Sequence, residues 1–164
     1  MRGLILLIAN AVSMLLPQTR GFGVRLLLFR AAGVSVAADA KIVGLTRIYY
    51  PNARIGASWI GAGTHFSCTP TARVTIGDRC DVGPGVLFVT GSHQIGDATR
   101  RAGKGFSLPI TVGDGTWVGA RVTFLGGSSV GAGCVVAAGS LVRGEFPANV
   151  MIAGTPARIV KQLS

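Results

Sequence analysis

Residues 112–147 read VGDGTW VGARVT FLGGSS VGAGCV VAAGSL VRGEFP. A large apolar residue opens every block: Val112, Val118, Phe124, Val130, Val136 and Val142, at a strict spacing of six. Gly113, Gly119, Gly131 and Ala137 take second place in four of the blocks. Upstream, Ile76, Val82 and Phe88 keep the spacing, Ile42 and Ile48 fit it, and Ile55 and Ile60 fit it with a slip of one. If about a third of positions are large and apolar, six fixed hits arise by chance with odds on the order of 1 in 1,000. The period is neither that of a helix nor the simple alternation of one long strand. A short strand plus a tight turn makes one flat side, and three hexads close a triangular coil. The aliphatic residue points inward, and the small residue after it lets the chain turn the corner. Coils stack about 4.8 Å apart, each strand bonding to its equivalent one coil away. The spacing therefore predicts an all-β solenoid, a parallel β-helix of about five triangular coils over residues 36–154.

The composition agrees with that fold. The chain has 164 residues, 49% of them hydrophobic and only 13% charged, with 25 Gly and 7 Pro. One domain is the natural size, and the apolar content excludes a disordered chain. The glycines do not fall every third residue, which excludes collagen. Lys and Arg number 16 against 6 Asp and Glu, a net charge of +10, so an anion is an expected partner. Cys68, Cys80 and Cys134 are odd in number and lack metal-ligand spacing. They predict buried thiols in a reducing cytoplasm and no metal requirement.

Residues 1–35 form a basic, apolar leader. Leu4 to Leu16 is apolar except at Asn10 and Ser13, and ends at Pro17. It is too short to span a bilayer, which takes about 20 residues. No cleavage site of the small-x-small type follows it; Ala9-Asn10-Ala11 lies inside the run. With Val24 to Ala32 it predicts short helices. These either pack on the domain or a neighbouring subunit, or rest on an anionic membrane surface through Arg2, Arg20, Arg25 and Arg30.

The hexads stop after Phe88 and resume at Val112, expelling a loop over 89–109. The loop carries His93, Asp97, Arg100, Arg101 and Lys104. Loops expelled from a repeat are where binding residues gather. At the far end Pro156 is expected to open a short basic C-terminal helix over 155–164, with Arg158 and Lys161 on it.

The segments GSHQIGDATRRAGKGFSLPITVGDGTWVGARVTF (91–124) and VGAGCVVAAGSLVRGEFPANVMIAGTPARIVKQL (130–163) resemble the hexapeptide-repeat acetyltransferases. The nearest branch holds the galactoside, maltose and nodulation acetyltransferases and the capsule, colanic acid and O-antigen O-acetyltransferases. The resemblance covers about residues 55–164. It implies a left-handed β-helix, acetyl-CoA as co-substrate, and a homotrimer with active sites between subunits. It places His93 at the family's loop histidine, the general base. The chemistry suits that residue type: a sugar hydroxyl is a weak nucleophile, and an imidazole titrating near neutrality can take its proton as attack on the thioester begins. The resemblance places Trp117, Ala120, Ala138, Arg143, Gly144, Arg158 and Lys161 at the coenzyme. Arg143 and Gly144 depart from the family, which often has Lys where Gly144 stands.

The acceptor side matches less. The family's acceptor Asn falls on Gly63, with His65, Ser67 and Thr69 as candidate replacements and Trp59, Tyr49 and Tyr50 as candidates to stack on a sugar face, and the acidic N-terminal segment is replaced by the apolar leader. These departures point away from a free galactoside and toward a sugar hydroxyl of a capsule, exopolysaccharide or O-antigen precursor at the inner face of the bacterial membrane. The alternatives are an acetyltransferase for a small amine, alcohol or amino sugar, and a non-catalytic membrane-apposed scaffold. A zinc enzyme of the same fold needs three histidines, and the chain has two. Nucleic acid is not an expected partner, because the cations are scattered rather than gathered in a recognition element.

Overall fold

The computed structural model describes residues 2–164; Met1 and the side chain of Arg2 lie outside what it describes. The hexads form a three-sided prism of parallel strands, two or three residues each. Side 1 stacks Val36, Ile55, Ile76, Val112, Val130 and Phe146 inward; side 2 stacks Ile42, Ile60, Val82, Val118, Val136 and Ile152; side 3 stacks Ile48, Phe66, Phe88, Phe124 and Val142. This is the left-handed parallel β-helix expected. It has five full coils and two sides of a sixth, one partial coil more than expected. On side 3 the rings of Phe66, Phe88 and Phe124 stack at 5.0 and 4.9 Å, nearly parallel.

The corners explain the glycines. A Cβ on Gly113 would lie 2.5 Å from the Ala132 nitrogen of the next coil, and one on Gly119 would lie 2.5 Å from the Ala138 nitrogen. No side chain fits between corners stacked at one-coil separation.

The leader folds as helix α1 (Arg2–Leu15) and helix α2 (Phe22–Ala31). Helix α1 lies across the first coil. Asn10 donates to Ile48 O and accepts from Ile48 N, both at 2.9 Å, so one amide satisfies the open strand of side 3. Leu45 N donates to Ser13 O, and Gly44 N to Gln18 O. Arg25 is fully buried, not on the surface as a membrane contact would need. Its Nη2 donates to Leu16 O and Pro17 O, each at 2.9 Å, closing the end of α1. Burial lowers its pKa, and these carbonyls are what hold the cation there.

The C-terminal helix expected over 155–164 is instead a strand. Ala157–Gln162 runs antiparallel to Val150–Gly154, at the end of side 2. The last coil leaves an unpaired strand edge, and the β-branched Ile159 and Val160 suit the strand that covers it.

Candidate functional site

Between side 3 of the third coil and side 1 of the fourth, the chain leaves the prism as a hairpin. Gly91–Ile95 pairs antiparallel with Ala102–Ser107. The tip is a polar turn: Asp97 accepts from Thr99 N at 2.9 Å, Thr99 Oγ1 at 2.6 Å and Arg100 N at 3.2 Å. These bonds, the Thr99 hydroxyl foremost, hold the Asp97 carboxyl below the usual range. The root is tied by Leu108 N to Thr90 O at 2.9 Å and sits against Gly126, where a Cβ would meet Thr90 O at 2.6 Å. The hairpin is therefore an arm held at both ends.

His93 stands on this arm, exposed, opposite Gly105. A Cβ on Gly105 would lie 3.9 Å from His93 Nε2, so the small partner leaves the ring edge open. Among the described residues, no side chain hydrogen-bonds the His93 ring.

A second group forms on side 2. Lys41, Trp59, Asp81, Trp117, Val135, Met151 and Lys161 stand opposite one another, strand by strand, in one outward row. A cavity of about 310 Å³ opens along it, lined by Trp59, Asp81, Trp117, Gly61, Gly83 and Pro84. Phe22 of α2 packs on Trp59 with ring centres 5.8 Å apart. At the edge between sides 2 and 3 lie Ala120 and Ala138. The Gly83 corner faces the Ala120 nitrogen, and the Gly119 corner faces the Ala138 nitrogen. Small residues on both coils leave bare backbone along this edge, a cradle for an extended, amide-bearing chain.

His65 and Ser67 lie on side 3, half-buried, with Tyr49 edge-on to His65 at 6.0 Å. Burial first, and the Arg47 cation on the adjoining strand second, lower the His65 pKa from its ordinary value. Arg143 and Gly144 turn the edge between sides 3 and 1, two coils beyond the hairpin root. Gly144 has φ +96°, where a lysine is strained. Arg158 and Lys161 are exposed on the C-terminal strand.

The structure thus gathers Trp117, Ala120, Ala138 and Lys161 on side 2 and its edge. His93, Arg143 and Gly144 lie on the opposite edge of the prism, and His65 and Ser67 lie between. Trp59 faces the first group. Asp81, between the two indoles, was not singled out by motif or spacing: the insertion over 89–109 changes the interval between successive coils, so the row has no fixed period in sequence. Among the described residues no cluster of three His, Cys, Asp or Glu side chains converges as a metal site would.

Residues 109–144 match the bacterial transferase hexapeptide family, described as six repeats. The galactoside O-acetyltransferase of Escherichia coli strain K12 is 32% identical to it over 116 residues, 71% of this chain and 57% of that protein. The chain spans about half the length of the curated relatives it matches. A galactoside acetyltransferase in complex with coenzyme A is 25% identical, with a TM-score of 0.85 over 99% of this chain and 81% of the other. A hexapeptide-repeat acetyltransferase from Vibrio cholerae O1 biovar eltor, complexed with acetyl coenzyme A, is 27% identical, with a TM-score of 0.74 over 99% and 85%. The coils of this chain thus share their fold with coenzyme A-bound acetyltransferases.

Proposed function

We propose that this chain is an acetyl-CoA-dependent O-acetyltransferase acting on a sugar hydroxyl of a cell-surface polysaccharide precursor. The observation that carries it is the pairing of an exposed histidine, on an anchored arm opposite a glycine, with a small-residue cradle on stacked corners of the same repeat. His93 takes the proton of the acceptor hydroxyl as its oxygen forms a bond to the thioester carbonyl carbon. The carbon–sulfur bond breaks, and the thiolate leaves protonated at the expense of the imidazolium. The backbone beside Ala120 and Ala138 receives the pantetheine, Trp117 flanks it, and Arg158 and Lys161 meet the phosphates, which favour such cations; Arg143, on the His93 edge, reaches them from a neighbouring copy.

The separation of His93 from the cradle supports a site shared between copies, three in a closed ring as the resemblance implies. In such a ring the arm of one subunit reaches side 2 or 3 of the next. His65 and Ser67, on side 3, are then placed to touch the acceptor. The neutral form of His65, favoured by burial and Arg47, is the form that both donates and accepts a hydrogen bond. The apolar leader suits an acceptor held at the inner face of the membrane. His93→Ala is expected to abolish transfer to the acceptor, losing on the order of 10²–10⁴ in turnover, while coenzyme A still binds by calorimetry. Unchanged turnover removes the proposal.

A further inference from the structure

Helix α1 has its polarity inverted. Its two uncharged polar residues face the protein: Asn10 is spent on the Ile48 backbone and Ser13 is fully buried. Leu6 and Ala9 also pack inward, yet Leu4, Leu7 and Leu15 are 64%, 66% and 85% exposed, with Ile8 and Met14 on the same open surface. A helix bordering water ordinarily does the reverse. Helix α2 adds exposed Val24 and Leu27. Beside α1 a groove of about 860 Å³ is lined by Leu7, Ala11, Met14, Arg47, Tyr49 and Tyr50. Both tyrosines are exposed, apolar in body and polar at the tip.

The leader's own charges have one sign. No Asp or Glu precedes Asp39, while Arg20 and Arg30 are exposed and Arg47 stands half-exposed at the groove. No described helix is long and apolar enough to cross a membrane, and α1 at 14 residues is about 21 Å long. A short helix with an apolar outer face, tyrosines at its border and cations without acids is built to lie in the plane of a bilayer's interface. A second copy docked face to face fits less well, because it would bring the same cations against themselves; a head-to-tail contact is an outcome of the test below.

We propose that the outer face of α1, with Tyr49, Tyr50 and the surrounding arginines, docks the protein on the surface of an anionic phospholipid bilayer. The docking rests on no part of the acetyl-transfer mechanism. It gives Asn10 and Arg25 a second meaning: Asn10 pins the leader to the first coil and Arg25 braces α2 against the end of α1, so the apolar face is presented rigidly.

The test is flotation of the full chain, without acetyl-CoA or acceptor, on phosphatidylglycerol–phosphatidylcholine vesicles and on phosphatidylcholine alone. The wild type is expected to float with the anionic vesicles and less with the neutral ones, and to lose binding as salt rises. Leu7→Glu/Leu15→Glu changes only exposed positions and is expected to cut partitioning at least about tenfold, with the mass in solution unchanged. His93→Ala is expected to float like the wild type, which separates docking from catalysis. The proposal is overturned if the wild type ignores anionic vesicles, if the double variant floats equally well, or if the double variant's assembly is smaller than the wild type's. In that last case the face buries a second copy.

Discussion

The stacked coils and the His93 arm are made from one chain by opposite rules. In the coils each inward residue is wedged between its equivalents one coil above and one below, as Phe88 is between Phe66 and Phe124. Such a residue has no freedom and no solvent. The arm has almost no core: His93, Gln94 and Ile95 are exposed, and its shape is held by hydrogen bonds at the tip and root. The difference separates two kinds of sensitivity. Losses in the coils should be read in stability, and losses on the arm in chemistry alone.

The sharpest break of that comparison is subunit complementation. His93→Ala removes the proposed base, and Ala138→Trp fills the proposed coenzyme cradle at an exposed corner. Each is expected to be inactive alone and to fold. Random mixed trimers should recover about a quarter of wild-type activity, because that share of sites draws an intact arm and an intact cradle from different copies. A mixture that stays inactive would put arm and cradle in one chain's site.

Next comes Phe88→Ala. Removing the middle ring of the stack is expected to cost about 3–5 kcal/mol, seen as a large fall in denaturant midpoint. An equal loss from His93→Ala would erase the contrast between coil and arm.

Asn10→Ala leaves the buried Ile48 amide and carbonyl without their partner, and is expected to cost about 1–3 kcal/mol. Urea titration checks it. A cost near zero would mean that water replaces the amide and that α1 is not fastened there.

The smallest effect is that of His65. Its pKa is lowered in the fold, so the unfolded chain binds the proton more readily. Stability is full above the ordinary value of 6.5 and is lost as pH falls through it toward the lowered folded value. In His65→Gln the fall in melting temperature between neutral and mildly acid pH should be shallower than in the wild type.

The prism was legible because its demand recurs: one aliphatic residue inward every six positions, and a small one at the corner. Phe66 obeys the same rule, six after Ile60. The leader was legible as helix but not in orientation. Asn10 reads as a flaw in an apolar run, and only the first coil shows that the flaw is the fastening. Arg25 reads as a surface cation because nothing local reveals that three carbonyls of the turn between α1 and α2 need a donor. The tail was misjudged for the same reason: Pro156 is a fair helix opening, but an unpaired strand edge decided otherwise. On the site, the expelled loop pointed to His93. The wide separation of His93 from Trp117 depends on which side each hexad occupies, which the spacing alone does not say.

The antiparallel tail has one more consequence. A parallel β-helix is a template at its last coil, since any strand laid along it in register extends the stack. Ala157–Gln162 closes side 2 by running backwards, so the next strand meets the wrong polarity. At the other end, the Asn10 amide occupies the Ile48 backbone. Each end of the prism thus has one side closed to in-register stacking, which opposes end-to-end growth of one copy on another.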